Sequence, residues 1–239
     1  MLNIENIQVE YPDGLKALTK VSLNVEKGQN VAVVGANGAG KSTLILSIVG
    51  IMLPQMGSIS IDGMRVNKQN LREIRKKAGV VFQNPDDQLF MCNVYDDIAF
   101  GPRNYKFTEA QTDERVWASL AALGVEHLAE RSSHKLSGGE KRRIAIAAVL
   151  ALQPELLLLD EPTSFLDPKA RRKLIETFTE LPLTKLIATH DLDMALDLCE
   201  KVIVLKEGKV FAEGVPKEIL LNEELMQESG LELPLSCKR

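Results

Sequence analysis

Residues 35–43 read Gly35-Ala36-Asn37-Gly38-Ala39-Gly40-Lys41-Ser42-Thr43. A glycine, four residues, a second glycine, lysine and a hydroxyl residue form the phosphate-loop pattern. Glycines let backbone amides curl around phosphate oxygens, and a helix starting here adds the partial positive charge of its first turn. Lys41 supplies a point charge for the terminal phosphates, and Ser42 a hydroxyl for Mg²⁺. A plain glycine-rich turn is the bland alternative. The position of the segment, between an apolar run and an amphipathic helix, favours the nucleotide. The candidate nucleotide-binding residues of the loop are therefore Gly35, Asn37, Gly38, Ala39, Gly40, Lys41, Ser42 and Thr43.

A second cluster is Leu156-Leu157-Leu158-Leu159-Asp160-Glu161, an apolar run ending in two acids. A nucleotidase needs one carboxylate to hold Mg²⁺ and another, free of the metal, to orient and polarise the attacking water. Asp160 fits the first role and Glu161 the second. In Leu136-Ser137-Gly138-Gly139-Glu140, Ser137 and Glu140 are spaced as a helix capping box. The two glycines leave amides bare in the first turn, and a bare helix start binds anions.

Positioning these groups requires buried strands followed by loops. Asn30 to Val34 is almost wholly apolar, as a strand covered on both faces is, and Ser42 to Ile51 carries Leu44, Ile45, Ile48 and Val49 at helical spacing. Val80 to Phe82, Leu156 to Leu159, Leu186 to Thr189 and Val202 to Leu205 are further buried-strand candidates. Their interleaving with helical stretches predicts an α/β fold with a mostly parallel sheet. Ile4 to Tyr11 and Ala17 to Val25, separated by Pro12-Asp13-Gly14, read as an antiparallel pair. Val94 to Gly124 reads as helices, with Thr108 and Gln111 forming a second capping box. An inserted helical subdomain at about 88–150 and a helical extension over 216–239, ending in a frayed tail, complete the expected organisation.

The chain has 239 residues, with 29 Lys plus Arg against 33 Asp plus Glu and a formal net charge of -4. No global basic field is present to hold a polyanion, so nucleic acid is not an expected partner. Cys92, Cys199 and Cys237 are scattered, as are His127, His134 and His190, which predicts no metal cluster and a reducing compartment. No apolar stretch approaches the ~20 residues that span a bilayer. A soluble, cytoplasmic protein that reaches a membrane only through partners is expected.

The succession of motifs resembles the ATP-binding cassette subunit of an ABC transporter across nearly the whole chain. Gly35 to Thr43 resembles the Walker A motif, Gln83 the Q-loop glutamine and Leu136 to Glu140 the signature motif. Leu156 to Glu161 resembles Walker B with its catalytic glutamate, Ser164 to Asp167 the D-loop, and His190 the switch histidine. Tyr11 matches the aromatic that stacks on adenine in this family. The resemblance implies a phosphate-loop NTPase core with an N-terminal antiparallel β subdomain, residues 1–215 forming the cassette. It implies hydrolysis of ATP with Mg²⁺, the metal held by Ser42, Gln83 and Asp160, and catalysis by Glu161, His190 and Lys41. It also implies a head-to-tail pair of cassettes, homomeric or with a paralogue, in which Ser137, Gly138 and Gly139 of one close on the γ-phosphate held by the other and Asp167 couples the two sites.

Around the Q-loop, Gln83-Asn84-Pro85-Asp86-Asp87-Gln88-Leu89-Phe90 followed by Phe100-Gly101-Pro102-Arg103-Asn104 is similar to the ATPases of energy-coupling-factor importers, which include cobalt and nickel systems. That similarity implies a transmembrane coupling subunit and a substrate-binding membrane protein as partners, at the inner face of the cell membrane, and import of a metal ion or a vitamin. Glu140 stands where glutamine is commonest, Ala36 where proline is frequent and Phe165 where a small residue usually sits. A soluble cassette ATPase of DNA repair or translation is the alternative. It is disfavoured because neither a long coiled-coil insertion nor a second cassette is present.

Overall fold

A computed structural model describes residues 1–237. In chain order its elements are β1 (Leu2–Glu10), β2 (Lys16–Val25), β3 (Asn30–Val34), α1 (Lys41–Ile48), β4 (Met56–Ile61), β5 (Met64–Arg65), α2 (Leu71–Lys77) and β6 (Ala78–Val81). Next come α3 (Val94–Asn104), α4 (Glu109–Leu123), α5 (Gly138–Leu150), β7 (Leu156–Asp160), α6 (Pro168–Glu180), β8 (Thr184–Ala188) and α7 (Leu192–Leu198). The described chain closes with β9 (Lys201–Lys206), β10 (Lys209–Gly214), α8 (Pro216–Leu220) and α9 (Glu223–Glu228).

The apolar runs form a six-stranded sheet in the order β10-β9-β3-β8-β7-β6, parallel except for the edge strand β10. Because strand side chains alternate, each run divides its residues between two cores. Val31, Val33, Leu156, Leu158, Ile203 and Leu205 pack into one core with β1, β2, β4 and α1. Ala32, Val34, Leu157, Leu159, Val202 and Val204 pack into the other, with α3, α4, α5 and α6. The sheet is thus the shared wall between a nucleotide-loop side and a helical side.

β1 and β2 pair antiparallel as expected, and β4 and β5 extend them into a sheet ordered β2-β1-β4-β5. The β4–β5 hairpin is an addition to the two strands read from sequence. Its turn, Asp62-Gly63, has both residues at positive φ, 48° and 75°, the conformation that matches the twist of a tight hairpin.

Both expected capping boxes are present, Thr108 with Gln111 on α4 and Ser137 with Glu140 on α5. Gly124 ends α4 at φ 62°, a left-handed position that glycine takes without strain. The expected frayed tail requires correction over the described residues. Leu231 and Leu233 pack against the helical-side core, and Asp193 accepts bonds from the amides of Leu235 and Ser236, 3.1 Å each. Partial burial of two leucines and two satisfied amides offset the entropy of ordering this segment. Lys238 and Arg239 lie outside the described residues.

Phe178 on α6 is fully buried in the helical-side core. Phe178→Ala is expected to lower the unfolding free energy by about 3–5 kcal/mol, measured by urea denaturation.

Candidate functional site

Four parallel strands bring their carboxyl ends to one edge, where ligands of open α/β sheets bind. The register aligns Val33 of β3 with Ala188 of β8, and Ala188 with Asp160 of β7. The loop 35–40 follows β3, Glu161 follows β7, Thr189 and His190 follow β8, and Phe82 and Gln83 follow β6. Residues up to 155 positions apart in sequence thereby share one cleft because their strands are neighbours.

Tight packing shapes the loop. A Cβ at Gly35 would lie 2.3 Å from the Leu205 carbonyl, so the backbone runs directly against β9. Gly40, the N-cap of α1, sits at φ 102°, and a Cβ there would lie 2.7 Å from the Ala17 carbonyl. Lys41 is 8% exposed and folds back over the loop, its ammonium donating to the carbonyls of Gly35 at 2.7 Å and Ala36 at 3.3 Å. Burial lowers its pKa, and Glu161 and Asp160 oppose that shift. Tyr11 and Thr43 share a hydroxyl bond of 3.0 Å, which places the Tyr11 ring beside the start of α1.

The two acids differ in their surroundings. Asp160 is buried, its pKa raised by desolvation first and opposed by the hydroxyl of Ser42, and its Oδ1 has no hydrogen-bond partner. An orphaned carboxylate oxygen with a serine hydroxyl beside it suits a divalent cation. Glu161 sits at φ 46°, a strained position for a non-glycine residue. Its Oε2 accepts from Thr189 Oγ1 and His190 N, 3.2 Å each, and His190 Nδ1 lies 2.7 Å from the same oxygen. Both hydrogen bonds and the imidazole contact meet one oxygen, and Oε1 makes no hydrogen bond among the described residues.

Behind this pair, Asp191 takes both arms of Arg171, at 2.6 and 2.7 Å, and the Thr163 hydroxyl at 3.0 Å. Burial pushes Asp191 upward, but Arg171 and the Met194 amide outweigh it and leave the carboxyl below its usual range. The loops after β7 and β8 are therefore pinned to each other. Arg171, Asp191 and Thr189 were not among the sequence candidates, and their pairings appear only once β7 and β8 lie side by side.

The remaining candidates group elsewhere. Gly139 and Asp167 line a separate cavity of about 270 Å³ with Arg142, Leu166 and Lys173, which no phosphate-loop residue lines. Asp167 caps α6 through bonds from the amides of Lys169 and Ala170, 2.9 Å each. Glu140 accepts from the Ser137 hydroxyl at 2.7 Å, and this bond holds its carboxyl below the usual range. Gln83 is exposed at the cleft rim. Phe165 is 89% exposed at φ 64°, a costly conformation for an aromatic side chain that makes no internal packing here.

A model of the ABC transporter family matches residues 18–164. The chain belongs to the ABC transporter family. The cassette is 46% identical over 239 residues to the energy-coupling factor transporter ATP-binding protein EcfA of Methanothermobacter thermautotrophicus, covering 98% of this chain and 77% of that one. It matches cbiO1 from Clostridium perfringens, part of the ABC transporter complex cbiONQ, at TM-score 0.84 and 39% identity, covering 95% and 93% of the two chains. A dimeric ATP-binding cassette in a post-hydrolysis state with ADP and Pi matches at TM-score 0.82 and 29% identity, covering 90% and 99%. The cassette is an ATPase that works on ATP with Mg²⁺.

Gly40→Ala forces a Cβ into the Ala17 carbonyl at a left-handed position. It is expected to cost about 1–2 kcal/mol or more of stability, with at least about tenfold weaker binding of a fluorescent ATP analogue. Because the raised pKa of Asp160 lets a proton compete for its oxygen, Mg²⁺ binding should tighten as pH rises through that pKa. Mg²⁺ titration of nucleotide fluorescence at several pH values checks this, and Asp160→Asn should flatten the dependence.

Proposed function

We propose that this cassette is the ATPase of an energy-coupling-factor importer, driving uptake of a small substrate, a metal ion such as cobalt or nickel or a vitamin, through a transmembrane coupling subunit and a substrate-binding membrane protein. The observation that carries the reading is the segment Gln83 to Phe90 with Phe100 to Asn104. The rings of Phe90 and Phe100 meet edge to face at 4.9 Å and 84°, and both are exposed. Asp97 holds the amides of Phe90 and Met91 at 2.8 Å each, so the aromatic pair is fixed beside the loop carrying Gln83. Exposed, rigidly presented aromatics suit a docking subunit. The 46% identity to an EcfA protein supports the same reading. No helix among the described residues is long and apolar enough to cross a membrane, so the translocation path belongs to other subunits.

In the proposed reaction the amides of the loop and the Lys41 ammonium hold the β- and γ-phosphates, with Tyr11 against the adenine. Ser42, Asp160 and Gln83 would hold Mg²⁺, which neutralises phosphate charge and fixes the triphosphate when bound. Glu161 uses its open Oε1 to orient and polarise the water that attacks the γ-phosphorus in line. His190 keeps the carboxylate aimed, since its backbone amide donates to Oε2 and its Nδ1 lies 2.7 Å from that oxygen. Ser137, Gly138 and Gly139 complete the site of a second cassette, and Asp167 couples the two halves. The capped start of α5 offers bare amides for that role, and the dimeric relative with ADP and Pi supports the pairing.

Glu161→Gln is expected to keep ATP binding and lower turnover by about 10²–10⁴-fold, with accumulation of an ATP-bound dimer in gel filtration. Undiminished turnover removes Glu161 from the mechanism. Affinity capture of this chain from solubilised native membrane is expected to bring a coupling subunit and a substrate-binding protein. Recovery without any integral membrane protein rejects the importer reading.

A further inference from the structure

Helix α5 begins at the Ser137 cap and is lashed along one face to the loop that carries Gln83. The Lys141 ammonium donates to Asp86 Oδ1 at 2.6 Å, and Gln88 Nε2 donates to the Ala145 carbonyl at 2.7 Å. Between them, Arg142 is only 1% exposed, and its guanidinium donates to the carbonyls of Phe82, at 2.6 Å, and Gln83. Residues 141, 142 and 145 share a helix face, so these three ties make α5 and the loop 82–88 one body. A guanidinium forked onto two successive carbonyls fixes both position and orientation of that backbone, which a single ammonium donor would not do. Burying this cation is tolerable because Asp160 and Glu161 act on it across the cleft.

We propose that Arg142 is a positioning residue that sets Gln83 and locks it to the helix whose start faces the second cassette. The inference rests on the reading above, in which Gln83 meets Mg²⁺ and Ser137 to Gly139 meet the opposite triphosphate. One displacement of α5 then moves this chain's own Mg²⁺-facing glutamine together with its contribution to the other site. Each half-site reports its state to its neighbour through a backbone clamp.

The test is a double-mutant cycle with mant-ATP in the full-length chain, reading the Mg²⁺ concentration at half-maximal fluorescence enhancement as well as hydrolysis. Gln83→Ala should raise that concentration. Arg142→Lys should raise it about tenfold with a melting temperature near wild type, and should add nothing in the Gln83→Ala background. Gln88→Ala, which cuts a neighbouring tie at a less buried residue, should shift it in the same direction and be similarly silent with Gln83→Ala. It carries the test if Arg142→Lys does not fold. In the Glu161→Gln background, Arg142→Lys should also weaken ATP-driven dimerisation in analytical ultracentrifugation.

Additive effects in the cycle overturn the positioning role while leaving the reading of Gln83 intact. Unchanged dimerisation overturns the lock between the two half-sites. A Gln83→Ala variant with unaltered Mg²⁺ response defeats the reading itself, and the positioning role falls with it.

Discussion

Two cations and two anions are buried within one cleft, and the rest of the site follows from how that burial is made tolerable. Lys41, Arg142, Asp160 and Glu161 are each at least nine-tenths covered. Any of them alone would carry a desolvation penalty of several kcal/mol. Each is instead exposed to the field of the opposite pair: the acids oppose the lowering of both cationic pKa values, and the cations oppose the raising of Asp160. The quartet of side chains brings two formal positive and two formal negative charges together. What it keeps unsatisfied is specific, namely one oxygen of Asp160 and one of Glu161, so the cleft has retained the groups that a hydrated cation and a water would take up.

Holding those groups still falls to the loops. The strained backbone at Glu161 persists because Thr189 and His190 seize its Oε2, its amide bonds to the Ala188 carbonyl at 2.8 Å, and Arg171 with Thr163 clamps the adjoining Asp191. Strain of this kind survives where the surroundings over-determine it. On the other side α5 is tied just as firmly to the loop 82–88, while Ser137 and Gly138 at the start of that helix are exposed.

Most of the architecture was legible because burial on both faces writes a plain apolar run. β3, β7, β8 and β9 each sit within about two residues of their expected limits, and β6 begins two residues early. The β4–β5 hairpin escaped, although Asp62-Gly63 after Ile59-Ser60-Ile61 is the sequence signal for it. Its polar, half-buried serines and exposed Met56-Gly57 start left only Ile59 and Ile61 to mark the alternation. The phosphate loop and acid pair were readable because their chemistry is local. Arg142 was not singled out between Lys141 and Arg143, yet it lies on the stripe 142-145-149, and a charge on an apolar stripe is the mark of a buried, partnered cation. The order in the tail was invisible because it depends on Asp193, more than forty positions away.

The four leucines of β7 look interchangeable, but they answer to two different neighbourhoods. Leu156 and Leu158 face the side that grips phosphate, while Leu157 and Leu159 face the helical side. A bulkier residue at position 158 presses on α1 and the strands beneath it, whereas the same change one step along presses into the helical-side core. Changes that would relieve overpacking at adjacent positions of this strand therefore lie on opposite sides of the sheet, so a monotonous stretch of sequence carries two separate packing constraints.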